Sequence, residues 1–339
     1  MARWVEAGSI ERSLAMPSVY LSKACVHYAR IMVEKVSYDE FGMFHENAAE
    51  YGIAYAGPPT VSREFVPVGG GRSLSALKWG VASPRVVFLH GGAQNAHTWD
   101  TVALALGEPL LCIDLPGHGY SDSAAAFDMA ALPLQQNAAD IATVIRTLAP
   151  QAEAVVGMSL GGITTLALTR DHAELVQKMV LVDITPGVNQ EKTKQITDFV
   201  NGPATFPSFE DLLARTIEFN PTRTVESLRR GILHNALQED DGSWVWRYRR
   251  ADAPPLPEMD GKVERPSTES LWDVVSGFTD PLMFVRGMRK QSVVTDEDEA
   301  ELLKRAPHTR VERVEEAGHS VQGDTPLELA ALIRHFVGF

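Results

Sequence analysis

Three residues, far apart in the chain, have the types and settings that acyl chemistry needs. Ser159 lies in Ala154-Val155-Val156-Gly157-Met158-Ser159-Leu160-Gly161-Gly162, a short apolar run, then Gly-x-Ser-x-Gly, then a helical run through Arg170. A serine at a sharp strand-to-helix turn has its hydroxyl pushed clear of the sheet edge. The crowding there demands neighbours nearly free of side chain two residues before and after it. Gly157 and Gly161 meet that demand, and Gly162 lets the helix approach the sheet more closely. Alone, the motif also suits a glycine-rich turn with a bystander serine; the strand before it and the helix after it favour a nucleophile. A serine hydroxyl is weak at neutral pH, so it needs a base within reach, and the base needs an acid to set its tautomer and stabilise its charged form. His319 in Glu316-Ala317-Gly318-His319-Ser320 follows the last predicted strand and precedes the closing helix, which puts it at the sheet edge that Ser159 occupies.

The acid is the less obvious member. The turn after the seventh predicted strand, Gly287-Met288-Arg289-Lys290-Gln291-Ser292, has no carboxylate. Asp296, Glu297 and Asp298 come later and read as the charged start of a helix. Asp183 ends the sixth strand, next in chain order after the serine strand, behind an apolar run and before Pro186. A carboxylate there is costly unless paired, and His319 would be its partner. Asp183 is the preferred acid, with Asp296 in reserve. The oxyanion needs backbone N–H donors set in place beforehand. Leu160, after the nucleophile, supplies one, and Gly92 (or Ala93 beside it) the other, from the loop His90-Gly91-Gly92-Ala93-Gln94-Asn95. His90 and His118 read as turn histidines bonded to backbone. Gln94, Trp99, Trp246 and Trp272 are candidates for the substrate pocket, although the tryptophans also suit a core of their own. Arg247, Arg249 and Arg250 could bind a carboxylate or stay solvated.

The elements that must position these residues alternate. Residues 62–80 read as a hairpin around Gly69-Gly70-Gly71. Arg85–Leu89, Leu110–Ile113, Ala154–Val156 and Lys178–Val182 read as strands apolar on both faces, as in a covered parallel sheet. Residues 133–148 and the run after Ser159 read as helices, so a mostly parallel, doubly wound α/β sheet is expected. From 187 to 278 the alternation gives way to helical stretches and the aromatic patch Trp244-Val245-Trp246, read as a helical cap inserted after strand six. The sheet resumes at 279–339. Thr325, Pro326 and Glu328 suggest a capping box at the last helix. The expected domains are therefore an N-terminal helical extension (1–60), with a helix over 18–36, then a core (61–186 and 279–339) and a cap (187–278). The extension packs on the core or on a partner, a second copy of the chain being one such partner.

At 339 residues the chain can hold a large core. Its 31 basic and 44 acidic residues give a net charge of −13, which disfavours nucleic acid and anionic membrane as partners. Two cysteines make no disulfide framework, and Cys112 in its apolar run reads as a buried thiol. With no leader-like start and no apolar run near the ~18 residues of a membrane span, a cytoplasmic location and no membrane insertion are expected. Neither a metal-ligand spacing nor a phosphate-binding glycine loop is found, so no metal and no organic cofactor is expected.

Together His90-Gly91-Gly92, Asp114-Leu115-Pro116-Gly117-His118-Gly119, Gly157-Met158-Ser159-Leu160-Gly161-Gly162 and Gly318-His319 resemble the α/β-hydrolase superfamily over residues 61–339. More narrowly, Val182-Asp183-Ile184-Thr185-Pro186, the empty turn after strand seven and Asp241–Arg247 are similar to a subgroup of small bacterial esterases. In these the triad acid follows strand six, which implies that role for Asp183. The first 60 residues depart from those minimal enzymes. The resemblance implies an α/β-hydrolase fold and a serine hydrolase that cleaves a carboxylic ester, thioester or lactone of a small-molecule acyl substrate through an acyl-enzyme. Carbon–carbon hydrolysis of a diketone-type substrate and ligand binding without turnover are the alternatives. Epoxide hydrolases and haloalkane dehalogenases of the fold are excluded because they need aspartate where this chain has Ser159.

Overall fold

A computed structural model describes residues 35–123, 134–188, 191, 193–248, 268 and 270–339. The expected helix over 18–36 lies outside these residues except at its end, which is not helical. Eight strands form the main sheet: β1 (Val61–Gly69), β2 (Arg72–Trp79), β3 (Val86–Leu89), β4 (Leu110–Ile113), β5 (Ala154–Met158), β6 (Met179–Val182), and, after an insertion carrying β7 to β9, β10 (Leu282–Gly287) and β11 (Arg310–Val314). Their order is β1-β2-β4-β3-β5-β6-β10-β11. Only the β1–β2 hairpin and the β2–β4 pair are antiparallel. The serine strand β5 is thus flanked by β3 and β6, and β10 lies beyond β6.

The apolar runs of β3 to β6 follow from burial on both faces. Along β3, Val87 and Leu89 enter one core cluster while Val86 and Phe88 enter the other. The first cluster lies under helices Leu134–Leu148 and Leu160–Asp171, and the second under Asp100–Leu106 and Pro326–Val337. Helix Phe44–Tyr51 also packs on this second side, with the Phe44 ring 4.9 Å from Trp79, so the described end of the N-terminal extension rests on the core. The expected capping box of the last helix does not form. Thr325 makes no side-chain cap bond, and its hydroxyl donates to Val321 O at 3.4 Å instead.

The insertion is not purely helical. Helices Lys194–Val200, Phe209–Phe219 and Val225–Asn235 surround a three-stranded sheet, β7 (Thr205–Phe206), β8 (Ala236–Gln238) and β9 (Trp244–Trp246), in the order β7-β9-β8. The aromatic patch is therefore a strand. Trp244 and Trp246 pair with β7 and β8 and fill a small core with Phe206, Leu212 and Ile232. Helix Leu271–Gly277, at the end of the expected cap, instead buries Leu271, Trp272 and Val275 in the main core.

Candidate active site

Parallel strands place their carboxyl ends on one edge, and the motifs gather there. Ser159 follows β5 and opens helix Leu160–Asp171 with φ 52° and ψ −118°. Among the described residues the non-glycine positions with positive φ are Ala93, Ser159 and Asp183. All three follow strands at this edge, where such strain is characteristic of functional sites. The glycines permit the turn by contact as well as by conformation. A methyl on Gly161 would lie 2.1 Å from Leu89 O, and one on Gly157 would lie 2.5 Å from Gly161 O.

Asp183 follows β6 and is fully buried. Its carboxylate accepts four hydrogen bonds. Oδ1 takes the Gly287 N–H at 3.0 Å and the Ser292 hydroxyl at 2.7 Å; Oδ2 takes the Val293 N–H at 3.1 Å and His319 Nδ1–H at 2.9 Å. Both oxygens are thus fully hydrogen-bonded, as a buried carboxylate without a Lys or Arg partner requires. One of these donors, Gly287, ends β10, and two, Ser292 and Val293, come from the loop after it, where the sequence offers no carboxylate. That loop cradles the acid of the neighbouring strand. Asp296, the reserve candidate, is elsewhere: it heads helix Asp296–Arg305, its side chain is 87 % exposed, and it pairs with Arg286 at 2.7 Å.

With Nδ1 engaged, His319 has Nε2 left to accept a proton. Ser159, Leu160, Gly92 and His319 line one cavity of about 910 Å³. Gly92 faces Leu160, since a methyl there would lie 4.0 Å from Leu160 Cβ. The Ala93 N–H donates to His118 Nε2 at 3.1 Å, and the Gly91 N–H donates to Gln94 Oε1 at 3.1 Å. Between these two engaged amides the Gly92 N–H has no protein acceptor among the described residues, and the Leu160 N–H, first in its helix, has no carbonyl one turn back. His90 and His118 serve backbone groups, as their turns suggest. His90 Nε2 accepts the Leu115 N–H at 2.9 Å, and burial, then the neighbouring His118, pushes its pKa down to about 3.

Two of the four pocket candidates line this cavity, Gln94 and Trp246. Trp99 does not. It is fully buried against Phe88, ring centroids 5.0 Å apart, in the core beneath the loop. Trp272 does not either, because helix Leu271–Gly277 turns it into the main core. Arg247 stacks over Tyr120 at 4.4 Å, and Arg249 and Arg250 lie outside the described residues. Two asparagines unmarked in the sequence join cap to loop. Asn235 donates to Ala93 O at 2.7 Å, and Asn95 donates to His234 O at 2.9 Å. Only the i+2 bond of Asn95 to the His97 N–H, a turn signature, could have been anticipated.

His97, Asp100 and His234 offer three ligand atoms within 4.8 Å of one another behind this loop. Their geometry fits a metal poorly. The two imidazoles are stacked, centroids 3.7 Å apart and 12° from parallel, so their in-plane lone pairs run side by side instead of converging. Both nitrogens of His97 meet carboxylates, Asp100 at 2.8 Å and Glu40 at 3.1 Å. Burial would push the His97 imidazolium down, but the Asp100 charge and hydrogen bond and the Glu40 bond outweigh it and raise its pKa to about 9. His234 is neutral, its pKa pushed well down by burial and then by the His97 charge. A charged imidazolium has no lone pair for a metal.

A profile of the alpha/beta hydrolase family matches residues 86–332. The chain is 45 % identical over 309 residues to esterase Rv0045c of Mycobacterium tuberculosis, covering 89 % of this chain and 96 % of that one. A crystal structure of that esterase superposes with a TM-score of 0.73 at 42 % identity over 90 % of this chain and 100 % of the other. The 3-hydroxybutyrate-oligomer hydrolase of Cupriavidus necator is 27 % identical over 77 % of this chain and 92 % of its own. This chain belongs to the alpha/beta hydrolase family.

Proposed function

We propose that Ser159, His319 and Asp183 carry out ester hydrolysis through an acyl-enzyme. The protein is an ester-cleaving hydrolase, as its 45 % identical relative is an esterase along nearly its whole length. The observation that carries the residue assignment is the saturated, buried Asp183 bonded to His319 Nδ1. In the mechanism, His319 Nε2 takes the Ser159 proton as Oγ attacks the acyl carbon. The imidazolium is stabilised by Asp183, and the Leu160 and Gly92 N–H groups hold the oxyanion. His319 then gives the proton to the leaving alcohol. Water, deprotonated by the same histidine, attacks the acyl-enzyme and releases the acid and Ser159. The insertion, tied to the oxyanion loop by Asn235 and Asn95, bounds the acyl pocket. Cys112, buried and unbridged, suits a reducing, cytoplasmic setting.

A fluorophosphonate probe tests the assignment. Wild type should be labelled and should cleave p-nitrophenyl butyrate, and Ser159→Ala should lose both. A wild-type protein that is folded yet neither labelled nor active would sink it.

A further inference from the structure

Arg223 lines the same cavity, in the turn before helix Val225–Asn235. Its one hydrogen-bond acceptor among the described residues is the Ser227 hydroxyl, and its Nε is buried with no acceptor. Among the described residues no carboxylate oxygen lies within 4.0 Å of its nitrogens. The two acids near it are committed elsewhere. Glu50 holds Thr224 through one oxygen and Arg230 through the other. Asp324 takes the Thr222 hydroxyl at 3.0 Å and the Gly318 N–H at 2.8 Å. Burial pushes the Arg223 pKa below the ordinary arginine value, with Tyr51, Asp324 and Glu50 acting against it from beyond contact.

The guanidinium is also fixed relative to the reacting groups. Asp324 joins the Arg223 turn, through Thr222, to the amide beside His319. Arg223 lies against Gly323, just beyond His319, where a methyl would come within 3.0 Å of its Cζ and Nη1. The missing side chain at 323 is what lets the fork sit there. A half-buried guanidinium with donors to spare is the protein side of a bidentate carboxylate contact.

We propose that Arg223 recognises a carboxylate on the substrate, so that the ester cleaved is a half-ester of a dicarboxylic acid or an ester of a hydroxy acid. This rests on the esterase reading above and names the substrate class for the same site. A carboxylate would supply the missing partner and hold the scissile carbonyl at a set distance from Ser159.

The test is selectivity. Monoethyl glutarate and monoethyl adipate carry the acid on the acyl side, and 4-acetoxybutyrate carries it on the alcohol side. Each is compared by pH-stat with its primary amide, a neutral isostere. In wild type, kcat/KM for the acid should exceed that for the amide about tenfold or more in at least one series, and Arg223→Gln should lower that ratio at least about tenfold. The series that responds tells which side carries the acid. A wild-type ratio at or below one in both series, or a ratio unchanged in Arg223→Gln, overturns the proposal. Calorimetry of glutarate and 4-hydroxybutyrate, the products, keeps the two readings apart. Protein that cleaves no ester yet binds a product, with binding lost in Arg223→Gln, refutes the esterase reading and supports the arginine site. Protein that cleaves neutral esters but binds neither product refutes the arginine site alone. The wild-type comparisons decide the matter even if the variant does not fold.

Discussion

Asp183→Asn is the perturbation that bears most directly on the mechanism, because the structure determines what an amide can do there. Each carboxylate oxygen receives two donors: Gly287 N–H and Ser292 hydroxyl at Oδ1, Val293 N–H and His319 Nδ1 at Oδ2. An amide has one oxygen, so its NH₂ must face a donor pair whichever way it turns. With NH₂ at the Oδ2 position the Val293 N–H loses its acceptor, and His319 must present Nδ1 as acceptor. Nε2 then carries the proton and cannot take the one from Ser159. With NH₂ at the Oδ1 position the Gly287 N–H is orphaned. The tautomer survives, but the negative charge that stabilises the imidazolium is gone. Either way one buried amide is left unpaired, at about 1–3 kcal/mol of stability. Loss of the correct tautomer costs about 10⁴-fold in turnover in the well-studied serine protease case, and we expect a fall of 10³-fold or more here. The assay is kcat/KM on p-nitrophenyl butyrate, with thermal unfolding to show that the variant is folded. Asp296→Asn serves as control, since its exposed pair with Arg286 should leave the rate within about twofold. A folded Asp183→Asn within tenfold of wild type would refute the assignment of the acid.

Ser292→Ala removes the 2.7 Å bond to Asp183 and should lower kcat by about tenfold with KM nearly unchanged, and Ser292→Thr should recover most of it; equal loss in both variants would mean a packing role. Gly161→Ala puts a methyl 2.1 Å from Leu89 O and should destabilise by more than about 3 kcal/mol, read from urea unfolding; a stable, active variant would contradict the tight elbow. The buried His97 has its pKa raised from 6.5 to about 9 by Asp100 and Glu40 against the opposing pull of burial, so its contribution to stability is complete below pH 6.5 and disappears as pH rises through about 9. Unfolding free energy should therefore fall by about 2 kcal/mol between pH 7 and pH 9.5, and His97→Gln should flatten that fall; an unchanged slope in the variant would place the dependence elsewhere.

What could be read locally was decided locally. The elbow was legible because crowding at one turn forces glycine at both 157 and 161. The sheet was legible because strands covered on both faces must be apolar throughout. The pairing of Asp183 with His319 was also within reach, since an acid at the end of a buried strand has to be paired by something. What escaped was decided by parts of the chain that meet only in space. The aromatic patch at 244–246 became a strand because β7 and β8 flank it, and no periodicity in so short a run announces partners far along the chain. Trp99 and Trp272 share a residue type with Trp246, yet of the three only Trp246 lines the cavity, because where each element packs in the assembled fold decides which way its ring faces. The arginines marked by their sequence neighbourhood were those around 247–250, whereas Arg223, unmarked there, lines the cavity that Ser159 and His319 line. Its significance is a matter of what is missing around it: Glu50 and Asp324 are near, but the tertiary structure has already given both to other donors.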